Sequence, residues 1–221
     1  MLRRRCVLSL FAALAFPALA AAAEDPVTRE IGAIISGAVP IQHNLSPEDV
    51  DTARRFYALR QDAPLWWTGR GWLNKARMAQ QALAHAEQEG LRAADYAVGL
   101  RPLPPENTTP QQIAEADMLL SAALLRYISD IANGRRRPQG IDPELRVTPQ
   151  LIDPLTALRA GMGATDFAAW LRGLAPSTPG YSQLRDALSQ MRAHAAIGRW
   201  PLLPDGLKLE KGQRAAAILT L

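Results

Sequence analysis

The chain has 221 residues, of which 25 are Lys or Arg and 21 are Asp or Glu. Three of those bases, Arg3, Arg4 and Arg5, stand at the head of the chain, and without them 22 bases face 21 acids. A balance of +1 gives no argument for nucleic acid as a partner, and some 200 residues beyond that head suffice for one domain with a core.

The three arginines precede an apolar run from Cys6 to Leu19. Small residues from Ala18 to Ala23 follow, and polar chain begins at Glu24 and Asp25. That order predicts a cleaved signal peptide over residues 1–23. The apolar run is shorter than the roughly 20 residues of a membrane span, so no span is expected after cleavage. Cys6 is the single cysteine and lies inside the leader. The exported chain would hold no disulfide, thiolate metal site or cysteine nucleophile. The predicted location is the periplasm.

Helix starts are marked by prolines. Asp25-Pro26, Ser46-Pro47, Thr109-Pro110 and Asp153-Pro154 each put a capping side chain before a proline. The side-chain oxygen can accept from a free first-turn N–H, and proline at the first helical position has no N–H to leave unpaired. Ser46 with Asp49 and Thr109 with Gln112 resemble capping boxes. Apolar residues at helical spacing run through Leu73, Ala76, Ala79, Leu83 and Ala86, with Gly90-Leu91 as a left-handed stop. A stronger stripe joins Ile113, Ala116, Leu120, Leu124, Tyr127 and Ile131, closed by Gly134. A third joins Tyr181, Leu184, Leu188, Met191 and Ala195, closed by Gly198. Phe167 to Leu174 predicts a shorter helix capped by Thr165. Pro64 to Trp67 reads as extended chain, Leu207 to Leu209 as a short strand, and Pro102 to Pro110 as a loop. The expected fold is all-α, an irregular multi-helix domain over residues 24–206. Residues 207–221 read as the opening of a further unit.

Catalytic motifs are missing. His43, His85 and His194 have no metal-ligand spacing, and neither nucleophilic serine nor phosphate-loop motifs occur. No cofactor or metal is expected. Glu87 and Glu89 cannot face each other on one helix, Asp49 and Asp51 favour a helix start, and Glu115 with Asp117 reads as a solvated helix face. Two clusters are candidates for wall or partner contact. Trp66 and Trp67, with Trp72 close behind, form either an aromatic platform for sugar or peptide, or a core plug between helices. Arg135, Arg136 and Arg137 either complement a helix end or grip an acidic polymer or partner.

The order of these pieces resembles the amino-terminal scaffold region of the large L,D-transpeptidases of Gram-negative bacteria. The matching residues begin with Phe56-Tyr57-Ala58-Leu59-Arg60, Pro64-Leu65-Trp66, Trp72-Leu73 and Ala82-Leu83. Gly90-Leu91, Asp95-Tyr96, Ala116-Asp117, Leu120, Tyr127, Gly134-Arg135 and Pro138 follow. Leu174-Ala175-Pro176, Pro179, Tyr181, Leu184-Arg185, Ala187-Leu188, Trp200-Pro201 and Pro204 complete the set. Ala93 departs from a frequent proline, and Gly198-Arg199-Trp200 from a glycine pair. The resemblance implies a non-catalytic, periplasmic part of an enzyme that cross-links peptidoglycan, with peptidoglycan or cell-wall enzymes as partners. The family's serine-histidine-glycine-cysteine motif, whose thiolate forms the acyl-enzyme, is not in this chain, so inactivity alone is expected. A stand-alone peptidoglycan-binding or regulatory protein is one rival reading. A hydrolase built from dispersed carboxylates is another.

Overall fold

The computed structural model describes residues 25–40, 45–135, 151–198 and Lys208. The predicted leader, His43, Arg136, Arg137, Leu207 and the unit over 207–221, save Lys208, lie outside the described residues. The fold is all-α. Its helices are α1 Pro26–Ile35, α2 Pro47–Ala58, α3 Asn74–Ala84, α4 Pro110–Asn133, α5 Pro154–Gly163, α6 Phe167–Arg172 and α7 Pro179–Ile197. Two 3₁₀ segments, Ala86–Glu89 and Ala93–Leu100, lie between α3 and α4.

The four proline-marked starts form as the capping chemistry predicts. Asp25 accepts from Thr28 N, Ser46 from Asp49 N, Thr109 from Gln112 N, and Asp153 from Leu155 N and Thr156 N. The start of α6 differs. Asp166, not Thr165, caps it, accepting from Ala169 N at 2.8 Å. A carboxylate one residue closer to the helix reaches that N–H and carries the charge the helix dipole favours.

Helix α4 is the axle. Ile113, Ala114, Met118, Leu120, Leu124 and Ile128 are among its many buried residues, which lie around most of its circumference. Helices α1, α2, α3 and α5 and the second 3₁₀ segment all pack on it. A helix buried on most sides needs apolar residues beyond a single stripe, and α4 supplies them. Gly90 stops the first 3₁₀ segment at φ +74°, where a side chain would be strained. Leu91 N then returns to Ala86 O at 3.1 Å and its side chain is buried.

Between α2 and α3 the chain makes two tight reversals. Gln61 and Asp62 both have left-handed backbones, with φ of +54° and +59°. Non-glycine residues hold that conformation at a cost of about 1–2 kcal/mol each. Gln61 is exposed, so Gln61→Gly is expected to raise the free energy of unfolding by about 0.5 kcal/mol, after the loss from a looser unfolded chain. A urea titration reads the change, and a lower midpoint would mean the Gln61 side chain stabilises the turn. The second reversal closes with an antiparallel bridge between Trp67 and Trp72, with Leu73 N bonded to Trp66 O at 2.8 Å.

The third stripe forms its helix, α7, but does not bury. No residue of α7 is buried, and Leu184 and Met191 are mostly exposed. Its contacts run to the first 3₁₀ segment. Tyr181 and Arg185 bond Glu89 at 2.8 and 3.2 Å, and Arg192 bonds Glu87 O.

Candidate functional site

The heart of the domain is polar. Asp117 lies on α4 with no exposure at all. One of its carboxylate oxygens accepts Tyr57 Oη at 2.5 Å and Leu65 N at 2.8 Å; the other accepts Trp66 N at 2.8 Å and Trp67 N at 3.0 Å. One turn along, Ser121 accepts the Trp66 indole N–H at 2.9 Å and shares a 2.7 Å bond with Tyr57 Oη. A single carboxylate thus holds three consecutive backbone N–H groups that no strand pairs, and fastens residues 65–67 to α4. Burial pushes the Asp117 carboxyl pKa up, while the Tyr57 hydroxyl and the three N–H groups pull it back. Burial and then the adjacent carboxylate hold the Tyr57 pKa well above its usual value, which keeps its proton as a donor. Expecting Asp117 on a solvated face is therefore incorrect. Its position does carry a signal: it falls four residues after Ile113 and four before Ser121, on the buried side of α4.

Toward the carboxyl end of α4 the charges pair across elements. Arg135 reaches Asp95 at 2.8 Å and Asp130 at 3.9 Å, Arg126 reaches Asp49 at 3.3 Å, and Tyr96 Oη donates to Asp130 at 2.7 Å. Asp95 Oδ2 makes its contact with Arg135 as a close ion pair off the ideal hydrogen-bond direction. Arg135 is thus part of a tertiary clasp between α4 and the Ala93–Leu100 segment. Nearby, Asn133 exchanges two bonds with the Ile152 backbone, at 2.8 and 2.9 Å, and ties the start of α5 to the end of α4.

Trp66 is fully buried and Trp67 is 8 % exposed. Trp66 packs edge-on to Phe167 and Trp67 edge-on to Trp72, the arrangement of a core plug. Neither ring offers a face on which a polymer could stack. The structure does not bring these tryptophans together with Arg135, which sits with the clasp. Among the described residues no group of three or more His, Cys, Asp or Glu could hold a metal ion. Among the same residues no helix is long and apolar enough to cross a membrane.

A surface groove not signalled by any motif lies over the amino-terminal half of α4. One part, of about 500 Å³, is walled by Gln80, Arg101–Pro104 and the first turns of α4. An adjoining part, of about 350 Å³, is lined by Trp72, Arg77, Pro105 and Glu106. Gln80, Leu103 and Pro104 border both.

These features define a helical domain organised on one central helix, with a buried carboxylate knot at its heart. The chain belongs to the Scaffold domain family, whose model matches residues 51–188. No curated protein and no solved structure matches it.

Proposed function

We propose that this chain is the non-catalytic, periplasmic scaffold portion of an L,D-transpeptidase that cross-links peptidoglycan. Its task is to hold and present the enzyme's wall-binding and catalytic parts. The observation that carries the reading is the match of residues 51–188 to the Scaffold domain model, over the stretch where the ordered resemblance is densest. The knot supports it: Tyr57, Leu65, Trp66 and Asp117 all belong to that resemblance and meet in one network. A network whose donors and acceptors are all engaged rigidifies a support.

The purified chain, incubated with tetrapeptide muropeptides, is expected to form no cross-linked product by mass spectrometry. Cross-links made by this chain alone would overturn the reading. Sequencing the gene beyond the codon for Leu221 gives the positive arm. A serine-histidine-glycine-cysteine motif in frame, or after one frameshift, supports the proposal; a stop with no such motif downstream contradicts it.

A further inference from the structure

We infer that the groove between the 101–106 loop and the start of α4 is a binding site for a neutral, hydroxyl-rich oligosaccharide. The combined cleft has the size of a ligand site, about 300–1,000 Å³, with parts of about 500 and 350 Å³ in line. Its lining is mixed, with apolar Val98, Leu103 and Leu119 among polar groups. Its rim carries Trp72 and Arg77 at one end, Gln80 and Arg101 midway, and Gln111 and Gln112 at the other. Sugar rings have apolar C–H faces and hydroxyl edges, so they suit a mixed lining in which apolar side chains and an indole alternate with amides and guanidinium forks.

Several details favour sugar over other ligands. The rim sets Arg77 and Arg101 against Glu106 and Glu115, so neither sign of charge prevails and a polyanion gains little. A peptide bound by strand addition would need a sheet edge to pair with, and none borders the groove among the described residues. The groove is also preformed. The Trp72 indole N–H is bonded to Pro104 O at 2.8 Å, and Gln80 holds Gly99 O and Arg101 O at 3.1 and 2.7 Å. Arg77, Arg101 and Gln111 are exposed, and none of their side chains makes a hydrogen bond or ion pair among the described residues.

The sugar best suited follows from the proposed wall function, on which this choice alone rests: a strand of N-acetylhexosamines, whose acetamido groups match the exposed Gln111 amide. The test is a nitrogen–proton NMR titration of the purified chain with chitotetraose and, in parallel, cellotetraose. The indole signal of Trp72 serves as reporter. Saturable movement of that signal at about millimolar sugar is expected. In the Arg77→Ala/Arg101→Ala double variant, chitotetraose binding is expected to weaken about tenfold or more. Because both arginines are exposed, the variant's unchanged circular dichroism separates lost binding from lost fold. Movement with cellotetraose alone would keep the groove as a sugar site and count against the wall reading. No movement with either sugar, or equal movement in wild type and double variant, would overturn the inference.

Discussion

Asp117→Asn is expected to lower the free energy of unfolding by about 3–5 kcal/mol. The change is nearly isosteric, so packing is not what fails. Each carboxylate oxygen of Asp117 receives two donors, and each pair includes a backbone N–H. Whichever way the asparagine amide turns, its NH₂ meets at least one N–H of Leu65, Trp66 or Trp67. A buried donor facing a donor loses its bond and cannot recover it from water. Tyr57→Phe removes one donor and leaves the backbone bonds in place, so it should cost about 1–2 kcal/mol. Urea denaturation followed by tryptophan fluorescence ranks the two, since Trp66 sits in the network. Equal losses would mean that the knot depends on the tyrosine hydroxyl rather than on the three N–H groups.

The second large effect is expected at Gly99, which lies in the 3₁₀ segment where it crosses α4. A Cβ there would stand 2.5 Å from Ala123 Cβ and 2.8 Å from Leu83 Cδ1. Ala123 is fixed on the central helix, and Leu83 is fully buried on α3. Neither can swing aside, so Gly99→Ala must push the segment off α4, at a cost of about 1–3 kcal/mol. The shift would also disturb the bonds from Gln80 to Gly99 O and Arg101 O. Combining it with Ala123→Gly removes the closer of the two clashes. The double variant should therefore be less destabilised than the sum of the two single changes. Additive losses in a double-mutant cycle would show that the contact is not what limits this position.

Much of the architecture is legible without a structure because it depends on local chemistry. A capping oxygen before a proline needs only the next turn of chain, and Asp25, Ser46, Thr109 and Asp153 all cap as predicted. Gly90 likewise stops its segment for a local reason, its positive φ. The Ala93–Leu100 segment was not predicted. Runs of 3₁₀-helix are too brief to set up an apolar stripe, and this one is held by long-range contacts such as Tyr96 with Asp130.

Placement of the site features required the tertiary structure. An amphipathic stripe states that a helix has an apolar face, but not what covers it: the stripe of α4 is buried, while α7 keeps Leu184 and Met191 mostly in solvent. Tryptophans in a short run fit both a plug and a platform, and the packing of Trp66 against Phe167, about 100 residues away in sequence, decides it. Asp117 shows the same division most clearly. It stands four residues from both Ile113 and Ser121, on the buried side of α4, yet its charge reads as a solvated helix face. Only the reversal that folds residues 65–67 back onto α4 supplies the donors that make a buried carboxylate stable. The sequence by itself determined where the four proline-marked helices begin; the long-range hydrogen bonds and packing decided which polar groups lie inside.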